Sequence, residues 1–171
     1  FEAQLEGISA IEYDVQRYVD SRRVSHYWPI EEFLFDLPHW DGQDRIRALA
    51  DCVPCENKEW RDFFYIWFLS MVAHWLQMDR EHANSTSPLL VGPQGCRKSS
   101  FCQSLLPPEL RPYYVDGIDL GSRKDAEMAL NRFALINLDE FDSIPASRQP
   151  YLKNLLQKAK VTLRKPYGES M

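Results

Sequence analysis

The sequence predicts an α/β fold of the phosphate-loop NTPase class behind an all-α region, and three observations predict it. Residues 1–83 carry apolar side chains at helical spacing. After a polar break at Asn84, Ser85, Thr86 and Ser87, strand-like and helical segments alternate, the pattern of an α/β sheet. That second part holds a glycine-bearing loop ending in Lys98-Ser99 and an apolar run ending in Asp139-Glu140. The expected division is therefore 1–83 for the helical region and 84–171 for the front part of a nucleotide-binding core.

The 171 residues are 44% hydrophobic and 13% aromatic, enough to build a packed core. A net charge of -5 argues against a chain wholly dedicated to nucleic acid. Cys52 and Cys55 form one C-x-x-C, but no second pair completes a zinc site, so reduced thiols are the expectation. The most apolar stretch, residues 63–73, is too short to span a bilayer, so no membrane role and a cytoplasmic location are expected. The chain begins at Phe1 without an initiator Met, as an excised piece of a longer protein would.

In the helical region, Ile8, Ile11, Val15, Tyr18 and Val19 keep helical spacing, and Pro29 opens a short helix through Phe35. Trp40-Asp41-Gly42 reads as a turn into a helix around residues 45–50. The clearest helix follows. Trp60, Phe63, Phe64, Trp67, Phe68, Met71, Val72 and Trp75 recur at i, i+3, i+4, i+7, and Tyr65, Ile66 and Leu69 fill its other faces. Burial nearly all round is expected, with the aromatic stripe as core rather than a ligand box. Beyond the break, residues 89–91 read as a strand and 98–105 as a helix. Residues 112–115 and 133–138 read as strands, with a helix near 123–130 between them.

The loop reads Leu89-Leu90-Val91-Gly92-Pro93-Gln94-Gly95-Cys96-Arg97-Lys98-Ser99-Ser100. Phosphate binding by such a loop has a physical basis at each position. Glycines let backbone N–H groups turn inward around phosphate oxygens, and the following helix contributes the positive end of its dipole. Lys98 would reach the β- and γ-phosphates, and the Ser99 hydroxyl would bind Mg²⁺. Arg97 departs from G-x-x-x-x-G-K-S/T, standing where the second glycine belongs. It either hinders close approach of the backbone to phosphate or supplies a second cation beside it. The residues assigned to nucleotide are Gly92, Pro93, Gln94, Gly95, Cys96, Arg97, Lys98, Ser99 and Ser100.

Leu135-Ile136-Asn137-Leu138-Asp139-Glu140 has the form of a buried strand ending in two carboxylates. Asp139 would hold Mg²⁺ or its water, and Glu140 would polarise the attacking water. The pair lies 41 residues after Lys98, with a helix and a strand between. Asp142 is a spare carboxylate, read as solvated or capping. Further on, Leu152, Leu155, Leu156 and Ala159 form a helical stripe, and residues 160–164 alternate. Residues 153–165 carry Lys153, Lys158, Lys160, Arg164 and Lys165 and no acidic residue, with Tyr167 nearby. That combination suits a single-stranded nucleic acid, which takes backbone neutralisation and a stacking surface. Lys158, Arg164 and Lys165 are the residues assigned to it; a solvated surface is the plainer alternative.

With these motifs in order, the chain resembles the virulence-associated E family, whose ATPase is similar to superfamily 3 helicases. The resemblance rests on Trp40-Asp41-Gly42-Gln43-Asp44-Arg45-Ile46, on residues 92–99, on Asp139 and Glu140, and on Leu152-Lys153 through Arg164-Lys165-Pro166-Tyr167-Gly168. It implies an AAA+-like core and an ATP- and Mg²⁺-dependent DNA helicase or primase-helicase of a phage or other mobile element. It also implies rings of identical subunits on single-stranded or fork DNA, beside or fused to a primase. The family pattern continues past residue 171 with a sensor Asn and an arginine finger, which implies a core truncated at its C-terminal side. Two rival readings stand beside it. One is a small-molecule kinase, which would need an acceptor pocket and a lid. The other is a degenerate phosphate-loop module that senses nucleotide or supports assembly without turnover.

Overall fold

A computed structural model describes residues 12–19, 21, 27–78, 86–139, 141 and 144–157. Among the described residues the first part has four helices: α1 (Glu12–Val19), α2 (Pro29–Phe35), α3 (Arg45–Ala50) and α4 (Trp60–Trp75). The second part contains α5 (Lys98–Ser104), a 3₁₀ segment (Pro108–Tyr113), β1 (Tyr114–Asp116), α6 (Arg123–Arg132), β2 (Leu135–Asn137), a 3₁₀ turn (Ala146–Arg148) and α7 (Gln149–Gln157).

Local chemistry accounts for most of the boundaries. Pro29 occupies the first turn of α2, where a missing N–H costs nothing. Asp44 caps α3 by accepting the Arg47 N–H at 2.9 Å, and Ser122 caps α6 by accepting the Asp125 N–H. The turn before α3 closes on itself. Arg45 donates both Nη atoms to the Asp41 carboxylate at 2.7 and 2.6 Å, Gln43 N–H donates to Asp41 Oδ1, and Trp40 Nε1 donates to Gln43 O. Gly42 sits at φ +84°, a left-handed conformation that a side chain would disfavour.

Helix α4 departs from the expected all-round burial. Phe64 and Met71 are buried, whereas Phe63, Ile66 and Leu69 are 57%, 60% and 44% exposed. One face packs on Ala50, Leu105 and Phe101, and Phe63, Ile66 and Leu69 lie on the more exposed side. Three clusters form the core of the described residues. In the first, Phe64 and Ala50 meet Leu105, with Trp60, Trp67, Phe68 and Phe101 around them. In the second, Ile30, Leu106 and Leu110 pack with Trp75, Tyr114 and Leu135. Both draw residues from either side of position 83, and the Trp75 indole donates to Ala134 O at 2.9 Å to tie α4 to the start of β2. The third joins Leu120, Ala126, Leu152 and Leu155 beneath the far end of the sheet.

β1 and β2 pair in parallel, with Tyr114, Val115 and Asp116 opposite Leu135, Ile136 and Asn137. A parallel pair needs a crossover, and α6 provides it. The first strand starts later than the apolar run suggests, because Pro108 and Pro112 place residues 108–113 in a 3₁₀ segment. Residues 89–91, expected as a strand, carry no strand pairing among the described residues, and Leu89 and Val91 are exposed. An apolar run becomes a strand only through hydrogen bonds to a neighbour, and none is present there among the described residues. No helix of the described residues is long and apolar enough to cross a membrane.

Candidate functional site

Residues 92–97 form the loop that enters α5. Gly95 has φ +81° and Arg97 has φ +64°, so the backbone takes two left-handed steps before Lys98. Gly95 does so freely; Arg97 carries a Cβ in a conformation that costs an L-residue roughly 1–2 kcal/mol. The structure thus gives position 97 the geometry a glycine favours. At Gly92 an added Cβ would stand 3.2 Å from Cys96 Sγ, so the loop is closed tightly on that side.

The Lys98 ammonium folds over its own loop. It donates to Gly92 O at 2.9 Å and Pro93 O at 3.0 Å, and lies 3.7 Å from Cys96 Sγ. Lys98 and Ser99 are half-buried, while Gly92, Pro93, Gln94, Gly95, Cys96, Arg97 and Ser100 are exposed. Ser99 Oγ donates to Asp139 Oδ2 at 3.1 Å across 40 residues of chain. That contact brings the two separately recognised motifs together. β2 delivers Asp139 to it, since the carboxylate lies two residues beyond the strand's end.

A second carboxylate, missed in the sequence reading, stands at the same edge. Asp116 ends β1 opposite Asn137, and its Oδ1 accepts from Asn137 Nδ2 at 2.9 Å and from the Tyr114 hydroxyl at 2.5 Å. Its signal was the one used for Asp139, an apolar run closed by an acid, since Asp116 directly follows the run read at 112–115. Burial pushes the Tyr114 phenol above its ordinary range, and the hydrogen bond to Asp116 adds to that. The Cys102 thiol, one turn along α5 from Ser99, is also pushed up. Burial is the main cause, followed by the charges of Asp116 and Asp139, which places both carboxylates in electrostatic reach of that helix face. Glu140, Asp142, Lys158, Arg164, Lys165 and Tyr167 lie outside the described residues.

The model of the virulence-associated protein E-like domain matches residues 34–171. The chain belongs to that family. The virulence-associated protein E-like region takes in the turn at 40–45, helix α4, the loop at 92–97 and Asp139, so the resemblance read from these segments holds at family level. No match was found among curated proteins or among solved structures.

The donor set suits a hydrated Mg²⁺–nucleotide. Mg²⁺ keeps several waters and is usually held by one or two carboxylates together with substrate phosphates. A serine hydroxyl 3.1 Å from a carboxylate, beside a lysine on a glycine-bearing loop, is such a set without a cage of protein ligands. Among the described residues no group of three or more His, Cys, Asp or Glu could hold a metal.

Proposed function

We propose that this domain binds ATP with Mg²⁺ at residues 92–100 and hydrolyses it as part of a superfamily 3-like DNA helicase or primase-helicase of a phage or mobile element, on a phosphate-loop fold. The Ser99–Asp139 hydrogen bond carries the reading, with Lys98 beside it. Family membership supports the mobile-element setting.

In this reading the Lys98 ammonium exchanges the Gly92 and Pro93 carbonyls for phosphate oxygens, which carry more charge than a carbonyl. Ser99 and Asp139 hold the metal, whose positive charge stabilises the charge that develops on the transferred phosphoryl group. Glu140 orients the attacking water. Lys158, Arg164 and Lys165 neutralise the backbone of single-stranded or fork DNA, with a ring of identical subunits presenting one such segment each.

Thermal unfolding with and without Mg-ATP tests the nucleotide step. At a hundredfold excess over Kd the wild type gains about 2.7 kcal/mol, and Lys98→Ala loses most of it. Equal shifts in the two proteins would refute the assignment.

The left-handed backbone at Arg97 favours one second reading, a degenerate module that binds nucleotide without turnover. ATP hydrolysis measured with and without single-stranded DNA on a chain that includes the flanking sequence separates the two. Turnover abolished by Glu140→Gln, with binding spared, excludes the second.

A further inference from the structure

The chain leaves β1 at Gly117, whose φ of +80° turns it off the strand while its N–H still donates to Asn137 O at 2.6 Å. The loop that follows, the end of β2 and the 3₁₀ turn before α7 enclose a cleft of about 350 Å³. That volume falls within the range of about 300–1,000 Å³ typical of small-ligand sites. The cleft also lies beyond the C-terminal ends of the parallel strands, where open α/β sheets take their ligands. Ile118, Leu120, Leu138 and Ile144 line it, and all four belong to the core cluster built on Ala126 and Leu152, so the floor is apolar and held from below.

Asp119 and Arg148 also line the cleft. Asp119 uses Oδ1 to accept the Gly121 N–H at 2.6 Å, and Arg148 uses Nη1 to reach Gly121 O at 3.3 Å. Each keeps further hydrogen-bonding capacity, a second carboxylate oxygen and the rest of the guanidinium fork. Both are exposed, as are Arg123 and Lys124 at the start of α6. The Arg123 guanidinium lies 5.3 Å from the Tyr151 ring, whose hydroxyl donates to Arg123 O. Asp125 is the carboxylate that follows them.

An apolar floor, a carboxylate that accepts and an arginine at the rim, with a second arginine close along the chain at the start of α6, match a flat heterocycle with an amino group, carried on a phosphate backbone. We propose that the cleft takes one amine-bearing base of a single-stranded nucleic acid, cytosine foremost, with the amine on Asp119 and the adjoining phosphates on Arg148 and Arg123. Carboxylates accept from the cytosine N4 amine. Thymine instead flanks its N3–H with two carbonyl oxygens, which a carboxylate repels. Asp139 forms part of the cleft wall and also bonds Ser99, so an occupied cleft adjoins the metal end of the nucleotide site. The inference rests on the proposed function for its choice of a strand as partner, though not on ATP hydrolysis.

The test is fluorescence anisotropy on the 171-residue chain with labelled oligo(dC) and oligo(dT) of equal length, at one salt concentration and mildly alkaline pH. Oligo(dC) should bind about tenfold tighter, the low end of discrimination by a good base contact. Asp119→Ala should bring the two strands to equality, and Arg148→Ala should weaken both alike. Asp119→Asn, which keeps the volume, serves as the second variant, and circular dichroism checks that each variant is folded. Equal affinities in the wild type, no binding of oligo(dC), or a preference surviving both Asp119 variants would overturn the proposal. So would dCMP competing as well as the strand per nucleotide, since the ligand would then be a free nucleotide. Lys98→Ala should keep the preference. Failure of ATP binding with the preference intact counts against the nucleotide reading alone, and the reverse pattern counts against the cleft alone.

Discussion

Two glycine-bearing turns in this chain each feed a helix, and they treat their polar groups differently. The turn at 40–44 satisfies itself within a few residues. Arg45 and Gln43 serve Asp41, the Trp40 indole serves Gln43 O, and Asp44 caps α3. The loop at 92–97 is bridged instead by the Lys98 ammonium, which donates to Gly92 O and Pro93 O, contacts that phosphate oxygens could replace. No side chain caps α5, Arg97 holds a left-handed conformation, and Ser99 finds Asp139 40 residues away. A turn closed by its own side chains contributes architecture. A loop that holds backbone strain and is bridged by a cation able to exchange its carbonyls for an anion is where binding can reside.

The largest expected effect probes what holds the open loop in place. Phe64 is 1% exposed and its ring lies 6.1 Å from Phe101 on α5, so it joins the helical region to the helix that follows the loop. Phe64→Ala should lower stability by about 3–5 kcal/mol in urea denaturation. A loss under about 1 kcal/mol would mean the loop stands independently of α4. Asp139→Asn comes next. It should remove the part of the nucleotide stabilisation that depends on Mg²⁺, out of about 2.7 kcal/mol at a hundredfold excess over Kd, while leaving the metal-free part. Melting curves with ADP, with and without Mg²⁺, read the difference; an unchanged Mg²⁺ dependence would dissociate Asp139 from the loop's function.

Arg97→Gly relieves the left-handed strain but adds glycine's unfolded-state freedom, so the net gain should lie between zero and about 1 kcal/mol. Calorimetry on the same pair should show nucleotide bound as well or better by the variant. Tight binding lost in Arg97→Gly would make the arginine a ligand. The smallest effect belongs to the closed turn. The Arg45 fork, then the Gln43 N–H, hold the Asp41 carboxyl well below the usual carboxylate range. A depressed folded-state value stabilises above the unfolded value of 3.8 and loses that contribution as pH falls through the folded one. The stability difference between wild type and Asp41→Asn should therefore stay level from neutral pH down to the ordinary carboxylate range. It should shrink only in stronger acid. A difference that stays level through stronger acid as well would mean the fork does not form in solution.

Much was legible before any coordinates, and it shares a cause. The helices Pro29–Phe35, Arg45–Ala50 and Trp60–Trp75 start and stop on periodicity, proline and caps, all of which act within a turn of chain. The family was legible because its motifs are short strings whose spacing survives without knowledge of the fold. What only the tertiary structure decided depends on partners far along the chain. The exposed side of α4 has the same apolar composition as its buried side, and only packing separates Phe64 from Phe63. Residues 89–91 have the composition of a strand and no strand pairing among the described residues. Asp116 meets Asn137 through strand register, Ser99 meets Asp139 through the placement of α5 against the end of β2, and Asp119 meets Arg148 around one cleft. Local rules reach about one helical turn. Side chains 20 to 40 residues apart come together only when burial of the clusters beneath them makes up for the entropy of closing the chain between.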